Sequence, residues 1–355
     1  MNDRYINKKK YKPINPNKIQ KLLIRSTNWI GDAIMTTPAV RAIRENFPNA
    51  QISILSKPWV SSIFNNSKYV DKVIVYDSNN RHKGIKGIYR LIKELKAQKF
   101  DAAILLQNAI EAAIIAYFAQ IPVRIGFNTD ARTLLLTHPI PCTKKIKEMH
   151  QVFYYLKILE GIGLKTSGDE LYLKINDSDN EYADEFVNKN VSPQQKIVGI
   201  NPAATYGSAK QWFPERFARL ADLICETYDY KIVIFGGPDD VELGKTISKM
   251  MYNQVLDLSG KTTLGQALAI ISKLNLFITN DSGLMHVAAA LKIPLIAIFG
   301  STNPITTSPW SSNSKIVRIP IDCSPCLKKE CPKAHKLCME NINVDMVFEL
   351  VKEML

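Results

Sequence analysis

The sequence contains neither a GxxxxGK phosphate loop nor a GxGxxG dinucleotide fingerprint, so two common glycine-built phosphate cradles are absent. No apolar run reaches the roughly 20 residues that a membrane helix needs. The opening MNDRYINKKKYKPINPNK is basic, but it has no apolar stretch and no small-residue cleavage site; a signal peptide is therefore not expected, and the expected location is cytoplasmic. No aromatic-interleaved basic cluster of the kind that nucleic-acid binders use stands out, so nucleic acid is not the expected partner. Acidic side chains are outnumbered, giving a net charge of +13. Arg4, Lys8, Lys9, Lys10, Lys12, Lys18 and Lys21 stand against Asp3 alone, so nearly half of this excess falls in the first 21 residues. Such a segment is either a solvated leader or a contact for anionic lipid, worth about 1 kcal/mol per basic residue near the surface. We expect residues 1–20 to be a disordered basic tail. The remaining positive charge suits an acidic small ligand or an anionic surface.

At 355 residues and 46% hydrophobic content, the chain suits two domains, each with its own core. Short apolar strands are predicted at 21–26, 51–56, 72–76 and 102–107. Helices are predicted over 32–47, 87–98, 111–120 and 150–163, while 122–141 reads as irregular. This alternation argues for a parallel sheet covered by helices. The polar stretch 174–196 starts with a capped helix and ends in a Ser-Pro break, so the domain boundary is expected near residue 185. The alternation then restarts, with strands predicted at 197–202, 231–237, 274–279 and 295–300 and a short stretch at 255–260 between the second and third. No close internal repeat is visible. The expected fold class is α/β, with a domain over 21–185 and another over 186–355, and ligands at the carboxyl ends of the strands.

Five turns follow predicted strands: STNWIGD (26–32), PAATYGSAK (202–210), FGGPDDVE (235–242), TNDSG (279–283) and FGSTNP (299–304). Gly207 permits close backbone approach, Ser208 offers a hydroxyl, and Lys210 brings a point charge suited to phosphate. Asp281 opens a helix, where it either caps the first turn or serves a ligand. His286, one turn later, is either packed core or part of the same site. Asp32 also opens a helix, whose dipole is expected to lower its pKa and keep it ionised. An ionised carboxylate across a cleft from a phosphate-binding lysine suits a displacement at a sugar carbon. Asp177-Ser178-Asp179 has the spacing of a metal-binding DxD motif, but its place before a helix favours capping. Cys323, Cys326, Cys331 and Cys338, with His335 among them, suggest structural zinc and, less strongly, an iron–sulfur cluster.

RSTNWIGDAIMTTPAVRAIRENFP, KPW (57–59), QNAIEAAIIAYFAQIPVRIGF, NPAATYGSAKQWFPERFARLA, FGGPDDVE, LSGKTTLGQALAII and TNDSGLMHVAAAL together resemble the family 9 glycosyltransferases, from about Lys21 to the C-terminus. The resemblance implies a GT-B fold, in which two facing Rossmann-like domains enclose a central cleft, the first binding acceptor and the second binding nucleotide-sugar. It implies an inverting, metal-independent transfer of heptose from ADP-heptose to the inner-core heptose of lipopolysaccharide (heptosyl-Kdo-lipid A), with the enzyme peripheral on the inner face of the bacterial inner membrane. No cofactor is then required for transfer, and zinc at the four cysteines would be structural only. By resemblance Asp32 matches the general base and Lys210 the lysine on the donor phosphates. Asp281, Ser282, Gly283 and His286 match the donor motif, Thr205 and Ser208 are placed as phosphate contacts, and Asp240 and Glu242 fall near the nucleoside. Two readings stay open beside it: a related transferase that moves another sugar to another core position, and a non-catalytic nucleotide-sugar binder.

Overall fold

A computed structural model describes residues 14–355. The basic segment up to residue 13 lies outside the described residues. In the rest of that segment, Asn15 caps a single 3-10 turn, Pro16–Lys18. The chain divides into two compact units, one made of residues 14–28 with Thr36–Asp169, the other of Trp29–Met35 with Glu170–Leu355.

The first unit holds strands β1 (Lys21–Arg25), β2 (Gln51–Ser56), β3 (Lys72–Val75), β4 (Ala102–Leu105), β5 (Val123–Phe127) and β6 (His138–Ile140). They form one parallel sheet in the order β3-β2-β1-β4-β5-β6. The second unit holds β7 (Ile197–Asn201), β8 (Lys231–Ile234), β9 (Val255–Asp257), β10 (Leu276–Asn280), β11 (Leu295–Ile298) and β12 (Ser314–Val317). Their order is β12-β11-β10-β7-β8-β9, again all parallel. Helices cover both faces of a parallel sheet, so its central strands are apolar throughout rather than alternating. Every residue of β4, β7, β10 and β11 is buried. Leu23, Leu55, Leu91 and Leu105 lie in the first core; Ile200, Phe217, Ile234 and Ile278 lie in the second. In each unit the chain starts in the middle of the sheet, builds outward one way, and returns to build the other way. The reversal falls between β1 and β4 and between β7 and β10, and ligand crevices of doubly wound sheets form at such switch points.

Three expectations differ from the observed elements. The helix predicted over 32–47 is two helices, Ile30–Met35 and Thr37–Asn46, because Pro38 lacks an N–H and opens a new helix. The irregular 122–141 contains β5 and β6; β6 is a short sheet edge that holds Pro139, a residue such edges tolerate. The boundary expected near residue 185 would cut the helix Asp177–Asn190, whereas the division falls between Asp169 and Glu170 because this helix packs on Leu264–Ile271 of the second unit.

Arg132 organises the carboxyl ends of β4 and β5. It is fully buried and donates to the Phe127 carbonyl at 2.7 Å, to Asn108 Oδ1 at 2.9 Å, and to the Gln107 carbonyl. Arg132→Ala leaves these acceptors without a donor in a buried place, at about 1–3 kcal/mol for each one that water does not reach. We expect a loss of about 3 kcal/mol or more in urea unfolding followed by far-UV circular dichroism.

Candidate active site at the second switch point

The loop after β7 and the end of β10 meet at the switch point of the second unit. Asn280 ties them together: its Nδ2 donates to the Pro202 carbonyl at 2.7 Å, and its Oδ1 accepts from the Trp212 amide at 3.0 Å, so one buried side chain pins both ends of the loop. Asn201, the last residue of β7, donates to Thr279 Oγ1 at 3.1 Å and Ser282 Oγ at 2.8 Å. Ser282 caps the helix Gly283–Ala290 by accepting from the Met285 amide at 3.4 Å. The cap is therefore Ser282 and not Asp281. Asp281 is turned the other way, and its Oδ2 takes the Lys210 ammonium at 2.6 Å, with the two side chains 5% and 15% exposed. The Gly283 and Leu284 amides of the first turn remain available for an anion.

Lys210 sits in the 3-10 turn Ser208–Lys210 together with Ser208; its Nζ also lies 5.1 Å from the centre of the Tyr206 ring. Thr205 is exposed on the same loop. The Cys-rich segment supports this loop from behind through its backbone. Lys329 accepts from the Ala209 amide at 2.9 Å, and Leu327 accepts from the Tyr206 hydroxyl at 3.1 Å. Gly207 is required here because a Cβ would run into the Lys329 carbonyl.

Asp32 joins this group through a glycine-on-glycine contact. A Cβ on Gly31 would lie 2.7 Å from His286 Cδ2, and one on Gly283 would lie 3.0 Å from Ile30 Cβ. The absence of both side chains lets the helix Ile30–Met35 lie close against Gly283–Ala290, which explains why this segment belongs to the second unit. Asp32 is thus gathered with Lys210 and Asp281 within one unit rather than set across from them. Its carboxylate has no hydrogen bond or ion pair with the described residues. Burial pushes it up to about 6; the Lys210 charge opposes this, and the Asp281 charge adds to it. The expected helix-dipole lowering is overturned, since loss of water outweighs the dipole of a six-residue helix. Gly31→Ala should force the His286 ring or one of the two helices to give way, and we expect a loss of about 1–3 kcal/mol in urea unfolding.

The other candidates are less convergent. His286 is buried beside Gly31. Asp240 accepts from the Gly237 amide at 2.8 Å and closes the turn after β8, and burial raises its pKa. Glu242 is exposed and paired with Lys245 at 2.7 Å. Neither acid bonds to Lys210 or Asp281. In the DxD stretch Asn176 is the cap, accepting from the Asp179 amide at 2.6 Å, while Asp177 and Asp179 occupy the first turn. The suggestion of structural zinc is corrected. Cys323, Cys326, Cys331 and Cys338 carry free thiols, and among the described residues no three or more His, Cys, Asp or Glu side chains are gathered to hold a metal ion. The thiols do sense one another: burial raises Cys338, and its three neighbours raise it further. Asn280 stands in the TNDSG turn that the sequence already marks, whereas Asn201 and Tyr206 do not stand out there; the signal for the two asparagines is an amide as the last residue of a buried strand, and Tyr206 lies on the loop after β7.

Two doubly wound α/β units, each with its own switch point, match the GT-B architecture of solved glycosyltransferases. Residues 88–337 match the family described as glycosyltransferase family 9 (heptosyltransferase). The lipooligosaccharide heptosyltransferase 2 of Campylobacter jejuni is 33% identical over 340 residues, covering 94% of this chain and 99% of that one. The lipopolysaccharide heptosyltransferase 2 of Escherichia coli is 26% identical over 94% of this chain and 98% of its own length. Among solved structures, the E. coli ADP-heptose lps heptosyltransferase II superposes with a TM-score of 0.79 at 25% identity, covering 94% of this chain and 98% of that chain. A family 9 glycosyl transferase from Veillonella parvula superposes with a TM-score of 0.83 at 25% identity, covering 94% and 97%. The chain belongs to glycosyltransferase family 9. Among its described residues no helix is long and apolar enough to cross a membrane.

Proposed function

We propose that this chain transfers a heptose from ADP-heptose, with inversion, to the inner-core heptose of lipopolysaccharide, working at the inner face of the cytoplasmic membrane and needing no cofactor for transfer. The observation that carries this reading is the Asp32 carboxylate, free of partners and pushed up to about 6, held with the Lys210–Asp281 pair at a helix N-terminus.

The acceptor hydroxyl oxygen attacks the anomeric carbon while the bond from that carbon to the β-phosphate oxygen breaks. Asp32 takes the hydroxyl proton. Negative charge grows on the departing ADP, where Lys210 and the Gly283 and Leu284 amides stabilise it. Asp281 holds Lys210 in place before the donor arrives and afterwards shares it between carboxylate and phosphate. Ser208 and Thr205 border the phosphates, and the turn closed by Asp240 takes the nucleoside end; Glu242, tied to Lys245, lies further along the same helix start. His286 keeps the two helices in register by packing on Gly31.

The test is transfer from ADP-heptose to a panel of truncated lipopolysaccharide cores, read by mass spectrometry. We expect one added heptose on cores that end in the first heptose and none on cores without it. Equal transfer to heptose-free cores, or transfer only from another nucleotide-sugar, defeats the reading.

A further inference from the structure

The Cys-rich segment does more than support the Lys210 loop: it ties that loop to the turn after β11. Leu327 carries both ends of the tie. Its N–H donates to the Ser301 carbonyl at 2.8 Å, and its carbonyl accepts from the Tyr206 hydroxyl at 3.1 Å. On either side of it, Ser324 Oγ donates to the Gly300 carbonyl at 2.6 Å, and the Lys329 carbonyl takes the Ala209 amide at 2.9 Å. Residues 324–329 therefore run as a strap from the end of β11 to the loop that holds Lys210.

Two free thiols meet at the turn that this strap crosses. Cys326 lies between Ser324 and Leu327, the residues bonded to Gly300 and Ser301. Cys338 touches the same turn, since a Cβ on Gly300 would lie 3.2 Å from its Sγ. Burial raises the Cys338 thiol, and after burial it is Cys326 that raises it most. The anchorage of the two differs. Cys338 stands on the short helix Leu337–Glu340 beside Met339, which is part of the second core, and Arg216 donates to the carbonyls of Met339 at 3.2 Å and Glu340 at 2.6 Å. Cys326 stands between Pro325 and Leu327, which are both exposed. In the segment 323–338, Lys328, Lys329, Lys333 and Lys336 stand against Glu330 alone. Positive charge favours the thiolate, the form that attacks a disulfide.

We propose that Cys326 and Cys338 are a site of reversible disulfide formation, with a low-molecular-weight disulfide as the oxidant, and that closing the bond loosens the Lys210 loop and weakens donor binding. The effect on the donor rests on the function proposed above. The Cys326 thiolate attacks one sulfur of the small disulfide and releases one thiol. The Cys338 thiolate then attacks the Cys326 sulfur of the mixed disulfide and releases the second. Two protein thiols are oxidised, one small disulfide is reduced to two thiols, and the two protons pass to these. The bond brings the sulfurs to about 2 Å and the Cβ atoms to about 4 Å. The core holds Cys338, so Cys326 moves and takes Leu327 with it, away from Ser301 and Tyr206. Among thiols that a cell keeps reduced, such a bond is transient and sensing rather than structural.

The test uses the full chain, reduced and then incubated with excess glutathione disulfide. Linked peptides are mapped by mass spectrometry without reduction, and ADP-heptose binding is measured by calorimetry before and after. We expect a Cys326–Cys338 cross-link and about tenfold weaker ADP-heptose binding, the scale set by losing one or two supporting hydrogen bonds. Dithiothreitol should reverse both. Cys326→Ala and Cys338→Ala should each bind ADP-heptose as the reduced wild type does and ignore the oxidant, while Cys142→Ala should respond like the wild type. Cys338 stands beside the core, so Cys326→Ala carries the comparison if Cys338→Ala does not fold. Glutathione attached to Cys331, whose thiol the Lys336 amide and its neighbours hold low, with no Cys326–Cys338 link overturns the proposal. A link that leaves ADP-heptose affinity unchanged overturns the coupling to the Lys210 loop. A link that forms and reverses in a protein that binds ADP-heptose in neither state defeats the donor reading and spares the disulfide.

Discussion

Asp32→Asn should lose about 10²- to 10⁴-fold in kcat, the contribution of a positioned general base, while ADP-heptose binds as before. The amide keeps the size of the side chain and removes its ability to take a proton. In the wild type, kcat/KM should fall as pH drops through about 6, because protonation of Asp32 empties the base. In Asp32→Asn that acid limb should disappear along with most of the rate. Stability should move the other way. The folded pKa of Asp32 is raised above its unfolded value, so its contribution favours the fold below the unfolded pKa and is lost as pH rises through about 6. At pH 7 the ionised carboxylate, held near Asp281, costs the fold on the order of 3 kcal/mol. Asp32→Asn should therefore unfold at a higher temperature than the wild type at pH 7, and the difference should shrink towards pH 4. A dead variant that also loses stability at pH 7 points to a structural role for Asp32, and a variant that transfers at the wild-type rate removes it as the base.

Much of this architecture is legible in the residues before any coordinate is seen. Runs such as AAIL and LIAI have no polar face to turn to water, so they read as the middle strands of covered sheets, and they are. The edge strands are less legible, because β6 is three residues around Pro139 and β12 mixes serine and lysine with its apolar pair. The candidate residues of the second unit stand out through their position after strands, but their pairing does not. Lys210 and Asp281 are 71 positions apart, and no local pattern tells that the lysine rests on the carboxylate. The place of Asp32 depends on Gly31 and Gly283 together, a fit between helices distant in sequence that neither glycine announces alone. Cysteine spacing misleads for the converse reason: the segment Cys323–Cys338 looks like a ligand set, whereas its backbone carbonyls brace the Lys210 loop.

The second large effect is expected at Lys210, where stability and chemistry can be separated. Lys210→Ala should lower kcat/KM for ADP-heptose by about 10²- to 10³-fold, the loss seen when one stabiliser of developing charge is removed. The same change strands Asp281, 5% exposed, without its cation. Leaving one member of a buried ion pair unpaired costs about 3–5 kcal/mol, so part of any activity loss could be ascribed to unfolding. The double variant Lys210→Ala/Asp281→Asn resolves this. With the stranded charge neutralised, most of the stability should return in thermal and urea unfolding, because Asn201, Ser282 and Asn280 hold the switch point without help from the pair. Transfer should not return, since neither substitution supplies positive charge to the leaving phosphate. Asp281→Asn alone should keep a cationic Lys210 and lose much less rate than Lys210→Ala. If the double variant recovers both stability and transfer, the lysine serves the fold and the departing ADP is stabilised by the Gly283–Ala290 helix amides alone.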